Sequence, residues 1–108
     1  MDGIAAAHAA DTLLAEHKAN TRFRMLVPPE GPVTIADAYD IQDKYVALLR
    51  AEHGKTVGYK VGLTSATMQT FCGIDHPIGG VVLAGRVHRS GATVRRADFG
   101  RLGLEFEI

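Results

Sequence analysis

The sequence predicts an α+β fold in which N-terminal helices are followed by a mostly β region. Two observations favour helices: an alanine-rich segment at 3–20, and a segment starting at Thr34 in which apolar side chains recur every three or four residues. A third observation favours strands, because apolar residues alternate with glycine or polar residues over 56–64. We therefore expect a helical region at 1–54 and a β-rich region at 55–108.

The second helix carries clear signals at both of its ends. Thr34 can cap it, and Asp37 stands three residues later, in an acidic variant of the capping box. Gly54 follows the last periodic residue, where a helix commonly ends in a left-handed conformation. The segment before this helix, 21–33, should be irregular because it contains several residues that break regular structure: Pro28, Pro29, Gly31 and Pro32.

The alternating strand at 56–64 places one lysine in an unusual setting. Its apolar residues should share one face: Val57, Tyr59, Val61 and Leu63. Lys60 should point to the other face, between Gly58 and Gly62, which leave space beside it. Most lysines on a strand are simply exposed. A lysine between two glycines on its own face favours the wall of a pocket.

The residue pattern in the rest of the chain predicts one short helix and three further strands. Ser65 should cap a helix that ends at Gly73, and a turn-rich loop should follow at 74–80. Short strands are expected at 81–84 and 92–95, with Ser90 and Gly91 forming the turn between them, and a closing strand at 102–108.

The closing strand would carry two carboxylates on one face. Glu105 and Glu107 flank Phe106, so in a strand both acids point the same way, roughly 7 Å apart. A hard cation such as Mg²⁺ or Mn²⁺ between them would relieve their repulsion. The alternative is a solvated strand face, which is where most glutamates lie. Because the alternation continues to Ile108 without a turn residue, we expect the chain to be the front part of a longer protein.

Composition excludes several classes of function. The chain has 108 residues, 46% of them hydrophobic, and 12 basic residues balance 12 acidic ones, so no charge excess favours nucleic acid or an anionic membrane. The single cysteine, Cys72, excludes an internal disulfide. No signal peptide or membrane-spanning segment is evident, and the expected location is cytoplasmic.

Five segments in fixed order resemble one known group of enzymes. They are ADAYDIQ at 36–42, GYKVGLTS at 58–65, MQ at 68–69, the GIDHP loop at 73–77 and LEFEI at 104–108. Together they resemble the 2-keto-4-pentenoate hydratase and 4-oxalocrotonate decarboxylase group of the fumarylacetoacetate hydrolase superfamily. The resemblance implies that this chain is the front part of a fumarylacetoacetate hydrolase-like fold. A typical member continues well beyond the paired glutamates.

The resemblance also implies an activity and roles for particular residues. The activity would be a metal-dependent lyase that adds water to a 2-hydroxy-dienoate or 2-oxo-alkenoate during the breakdown of aromatic compounds. Lys60 matches the family's catalytic pocket lysine, and Leu63 and Thr64 match the substrate-lining segment after it. Glu105 and Glu107 match the first two ligands of a divalent metal, Mg²⁺ or Mn²⁺. The partners would be a small 2-oxo or 2-hydroxy carboxylic acid and further copies of the chain in a homo-oligomer.

One departure from the family leaves the reaction open. Hydratases of the group often carry an acidic residue just after the loop proline, where this chain has Ile78 after Pro77. Asp75 and His76, just before that proline, are candidates to replace it. The alternative activities are a 2-oxo-acid decarboxylase and an acylpyruvate hydrolase. An alternative of another class is a non-catalytic module for folding or oligomerisation.

Overall fold

A computed structural model describes residues 1–108 and confirms the α+β class. The chain contains three α-helices, α1 (Gly3–Lys18), α2 (Ile35–His53) and α3 (Ala66–Cys72), two β-strands, β1 (Thr56–Gly62) and β2 (Ile78–Leu83), and two short 3₁₀ turns at Ala84–Arg86 and Arg96–Asp98. None of these helices combines the length and the apolar character needed to cross a lipid bilayer.

The chain forms two compact units. The first comprises Met1–Leu49 together with Arg89–Ile108, and the second is Arg50–His88. The first unit contains α1 and most of α2, and the second contains the β-sheet and α3. The domain boundary expected after residue 54 stays a prediction.

In the first unit, a small apolar cluster joins α1 to α2. Ala6 and Ala9 on α1 are almost completely buried and form a cluster with Ile41 on α2. Leu13 and Leu26 pack against the edge of this cluster. Alanine favours the helix and at the same time lets a neighbouring helix approach. The core is therefore narrow and depends on a few medium-sized side chains.

The start of α2 is held by a network around Asp37. The Asp37 carboxylate accepts hydrogen bonds from the backbone N–H groups of Val33 and Thr34, and its own N–H donates to the Thr34 hydroxyl at 3.1 Å. The amino group of Met1 donates to Asp37 Oδ1 at 2.8 Å. The ammonium group and the backbone donors stabilise the charged carboxylate, so the pKa of Asp37 lies well below its ordinary value. The capping box predicted at Thr34 and Asp37 is thus confirmed.

The second unit is built on a two-stranded antiparallel sheet. β1 and β2 pair with Tyr59 opposite Val81 and Lys60 opposite Gly80, and a register shift lies between Thr56 and Gly58. The Arg50 guanidinium donates to the Thr56 hydroxyl at 2.8 Å, which ties the end of α2 to the start of β1. β2 begins at residue 78, so the loop predicted at 74–80 ends earlier than expected. Pairing with β1 draws Ile78 and the two following glycines into the strand.

Two of the predicted strands do not form. Residues 92–95 and 102–108 belong to no strand, although the turn at Ser90 and Gly91 is present. Leu104 and Phe106, which would lie on the face opposite the two glutamates if this segment were a strand, are 82% and 101% exposed. A strand is stable only when its backbone groups pair with a neighbour, and the chain's single sheet contains β1 and β2 alone. The alternation of apolar and polar residues indicates that a segment can form a strand, but it does not provide the neighbouring strand with which that segment must pair.

Candidate functional site

Lys60 lies on a face of the β-sheet that is formed largely by glycines. Gly58 and Gly62 are two residues before and after it on β1, and Gly80 lies directly opposite it on β2. Side chains two residues apart, and residues opposite one another in a ladder, share a face. The side chain of Lys60 therefore rises from β1 with no side chain at its three nearest neighbouring positions. We call Gly58, Gly62 and Gly80 the glycine face.

Apolar side chains border the glycine face at its two ends. A Cβ atom added to Gly62 would lie 3.4 Å from Ile78 Cγ1, in ordinary contact, and one added to Gly58 would lie 4.0 Å from Val82 Cβ. Ile78 and Val82 are the partners of these glycines in the ladder. The arrangement places one cationic side chain on a narrow strip between two apolar borders. Lys60 itself is exposed, so the glycine face is an open surface. Its charge and the apolar borders suit a small anion that also has a carbon skeleton.

The segment after β1 is held in an unusual backbone conformation. Leu63 has φ = 53°, in the left-handed region that a branched side chain seldom adopts. Its carbonyl oxygen accepts a hydrogen bond from Gln69 Nε2 on α3 at 2.8 Å. Ser65 caps α3 by accepting from the N–H of Met68, as predicted. Two anchors on one short helix thus fix Leu63 and the exposed Thr64 beside the end of β1.

The loop before β2 fixes the orientation of a histidine. Nδ1 of the half-buried His76 lies 2.8 Å from the carbonyl oxygen of Pro77. Because a carbonyl oxygen can only accept, Nδ1 carries the proton of this hydrogen bond. The other ring nitrogen, Nε2, then remains available as a proton acceptor in the neutral ring. Its neighbour Asp75 is exposed.

The paired glutamates lie in a different setting from the one predicted. Glu105 and Glu107 belong to the irregular, exposed segment at 102–108, so strand geometry does not place their carboxylates on one face. Carboxylate oxygens suit Mg²⁺ or Mn²⁺, and Mg²⁺ requires near-octahedral coordination. Within the chain, no group of three or more aspartate, glutamate, histidine or cysteine side chains comes together in a way that could hold a metal ion. The donor chemistry fits a hard cation, but the number of protein ligands falls short of a complete site.

The structure brings three of the five predicted site residues together. Lys60, Leu63 and Thr64 lie within five residues of sequence, at and just after the end of β1, in the unit Arg50–His88. Glu105 and Glu107 belong to the other unit. Gly80 was missed by the sequence analysis, because its position opposite Lys60 depends on the register of β2. The Gly79–Gly80 pair was the only signal that could have pointed to it.

A comparison with known proteins gives one informative match. The chain is 37% identical over 102 residues to 2-oxo-hept-4-ene-1,7-dioate hydratase from Escherichia coli. The match covers 90% of this chain and 38% of that hydratase, so the chain spans less than half of the relative's length. No protein-family model matches the chain. The match confirms the predicted resemblance to the hydratase group.

Proposed function

Since this chain is related to a hydratase of the fumarylacetoacetate hydrolase superfamily, we propose that the whole protein adds water to a 2-hydroxy-dienoate or 2-oxo-alkenoate. The named relative acts on a 2-oxo-alkene dioate, as its name states. The observation that carries the proposal is Lys60 on its glycine face, beside an apolar border. A 2-oxo-alkenoate has matching chemistry, because it joins a carboxylate and an adjacent carbonyl to a short carbon chain. The fold would be the front part of that superfamily's catalytic fold.

Lys60 supplies the positive charge. Its ammonium group would bind the substrate carboxylate or the adjacent 2-oxo oxygen, and would stabilise the negative charge that develops on that oxygen during tautomerisation. The glycines around it let the substrate approach β1 closely. Leu63 and Thr64 would line the substrate site beside Lys60, since both follow directly from the end of β1.

His76 is our candidate for proton transfer. Hydration adds the hydroxyl group of water to one alkene carbon and a proton to the other, so a nearby group must move a proton. With Nδ1 held by the Pro77 carbonyl, Nε2 of His76 can accept a proton from water and return it to carbon. His76 would thereby replace the acidic residue found after the loop proline in related hydratases.

We propose further that Glu105 and Glu107 contribute two carboxylates to a divalent cation, Mg²⁺ or Mn²⁺. Water, substrate oxygens or protein groups outside these 108 residues would supply the remaining ligands. When bound, such an ion acts as a Lewis acid toward the 2-oxo and carboxylate oxygens of the substrate. The role of these glutamates rests on the family resemblance and the chemistry of their oxygens.

The proposal is tested by substitution of Lys60 in the whole protein. Lys60→Ala should reduce kcat/KM for a 2-hydroxy-dienoate by about 10²-fold or more, because it removes charge stabilisation in the transition state. Lys55→Ala is the matched control, since Lys55 is an exposed lysine one residue before β1. Equal activity in the two variants would exclude the proposed role of Lys60. Circular dichroism should show unchanged secondary structure in both.

The alternative reactions and the non-catalytic alternative require different assays. A 2-oxo-acid decarboxylase would release CO₂, and an acylpyruvate hydrolase would cleave a carbon–carbon bond of an acylpyruvate and leave a dienoate unchanged. Calorimetry with Mg²⁺ and Mn²⁺ distinguishes a metal-dependent enzyme from the non-catalytic folding or oligomerisation module. Cation binding that is lost in Glu105→Gln and Glu107→Gln would argue against that module, and absence of binding would favour it.

A further inference from the structure

Leu63 has a backbone conformation that its own residue type does not explain. Two non-glycine residues of the chain have a positive φ, Asn20 and Leu63. Asn20 follows the end of α1, where asparagine is a common substitute for glycine. A leucine side chain offers no local hydrogen bond that would favour this region. Strained residues of this kind persist only where the surrounding structure holds them, and they concentrate at functional sites.

Gln69 supplies a contact that holds Leu63. Its side-chain nitrogen Nε2 donates to the Leu63 carbonyl oxygen at 2.8 Å. Leu63 and Gln69 are both half-buried, whereas the other six residues of α3 are exposed. A directional hydrogen bond from a polar side chain therefore joins α3 to the segment after β1. Because it acts on the Leu63 carbonyl, this bond fixes the orientation of the peptide group between Leu63 and Thr64.

The main chain of Gln69 holds the loop that follows α3. Its carbonyl oxygen accepts a hydrogen bond from the N–H of Ile74 at 3.0 Å. Gly73 ends the helix in the left-handed region, with φ = 74°, as is usual where a helix is closed by such a bond. Ile74 stands two residues before His76, so the start of the loop that carries the histidine is fixed to Gln69.

The two ends of segment 63–77, here called the connecting loop, meet at the sheet. Gly62 pairs with Ile78 in the ladder, so the connecting loop leaves β1 and returns to β2 at the same end of the sheet. Lys60 lies two residues before Gly62 on β1. The connecting loop thus carries substrate-lining residues at its beginning and the histidine near its end, with α3 between them.

We propose that Gln69 is a positioning residue of the proposed active site. Its side-chain amide holds Leu63 in the left-handed conformation and so sets the path of the backbone through Thr64. Its main-chain carbonyl fixes the start of the segment that carries His76. Through these two bonds Gln69 sets the separation between the substrate-lining residues and the histidine, without touching the substrate itself. The catalytic consequence rests on the proposed function, whereas the two bonds are features of the fold.

Hydrogen–deuterium exchange of the whole protein tests the positioning without an assay of activity. Gln69→Met keeps the length and the helix propensity of the side chain and removes the donor. Peptides covering 68–74 should exchange faster in this variant, because their N–H groups bond to Ser65 and to the Gln69 carbonyl. Thr70→Ala is the matched control, since Thr70 is the next residue of α3 and is exposed. Equal exchange in Gln69→Met and the unsubstituted protein would overturn the proposal.

A double-mutant cycle with Leu63 separates positioning from a general loss of structure. Gln69→Met should lower kcat/KM of the whole protein for a 2-hydroxy-dienoate about tenfold or more, because small displacements of groups at the site strongly reduce the rate. Glycine adopts the left-handed region freely, so the same substitution in a Leu63→Gly background should cost less than about threefold. Equal losses in both backgrounds would overturn the proposal, since Gln69 would then act independently of the conformation of Leu63.

A second variant covers the case in which Gln69→Met does not fold. Gln69→Glu keeps the shape of the side chain and cannot donate to a carbonyl oxygen at neutral pH, so it should reproduce the losses expected for Gln69→Met. Circular dichroism identifies the variant that retains its secondary structure. A folded Gln69→Glu protein with full activity and unchanged exchange would also overturn the proposal.

Failure of the positioning role and failure of the proposed function give different results. Faster exchange in Gln69→Met with undiminished activity, while Lys60→Ala is inactive, would overturn the positioning role and leave the proposed function intact. If Lys60→Ala is as active toward a dienoate as the unsubstituted protein, the proposed function is wrong. The catalytic role of Gln69 then fails with it, although its two bonds would still be seen by exchange.

Discussion

Lys60 lies directly opposite Gly80 in the ladder between β1 and β2, so the strand neighbour of the proposed catalytic lysine has no side chain. We predict that Gly80→Val will fill the space beside Lys60 and reduce kcat/KM of the whole protein about tenfold or more, because the substrate can no longer approach β1. Gly79→Val is the control, since Gly79 lies opposite Val61 on the other face. Equal losses in both variants, measured by steady-state kinetics, would indicate damage to the sheet and no specific effect at Lys60.

The hydrogen bond between His76 and the Pro77 carbonyl leads to a second prediction. Replacing His76 with alanine should lower kcat of the whole protein by about 10²-fold to 10⁴-fold, the range typical of a lost general acid or base. His88→Ala is the control, because His88 is an exposed histidine in the same unit. If Asp75→Asn proves to be the damaging substitution and His76→Ala is tolerated, proton transfer belongs to Asp75.

Gly31 has no room for a side chain. A Cβ atom at this position would clash with the backbone carbonyl of Leu26, which cannot move aside as a side chain could. Gly31→Ala should therefore lower the free energy of unfolding by about 1–3 kcal/mol, in the range of overpacked sites. Gly103→Ala should have little effect, since nothing lies within 4 Å of the added Cβ. Urea denaturation followed by circular dichroism measures both, and equal stabilities would contradict the prediction.

The contact between Met1 and Asp37 predicts a plateau in the dependence of stability on pH. Folding lowers the pKa of Asp37, so its contribution is present above the ordinary carboxyl pKa and is lost as the pH falls toward the lowered value. Folding raises the pKa of the Met1 amino group, so its contribution is complete below the ordinary value of 8.0 and is lost as the pH rises through the raised one.

Asp37→Asn should reduce the loss of stability at both acidic and alkaline pH. It should also lower the melting temperature at the pH values in between. Asp43→Asn, at an exposed position of the same helix, is the matched control. Thermal unfolding from acidic to alkaline pH makes the comparison, and identical profiles for the two variants would argue against the ion pair. Acetylation of the amino group should abolish the loss of stability at alkaline pH and should also weaken the loss at acidic pH, because the Met1 ammonium is the largest cause of the lowered pKa of Asp37.

Local signals were sufficient wherever a few neighbouring residues determine the structure. The capping box at Thr34 and Asp37 was correctly predicted, and so was the capping of α3 by Ser65, because a cap depends on side-chain and backbone groups within three residues of one another. β1 was also anticipated, together with the position of Lys60 between glycines. The predictions failed at 92–95 and 102–108, where alternation was present and no neighbouring strand was.

The amino-acid sequence by itself determined the helices, the alternation of β1, the family resemblance and the chemical types of the site residues, because these depend on local propensity and on residue identity. Tertiary structure alone decided that Gly80 is the neighbour of Lys60, that Leu63 is held by Gln69, and that residues 102–108 form no strand. The physical reason is that ladder pairing joins residues distant in the chain, and its register depends on which strands are present to pair.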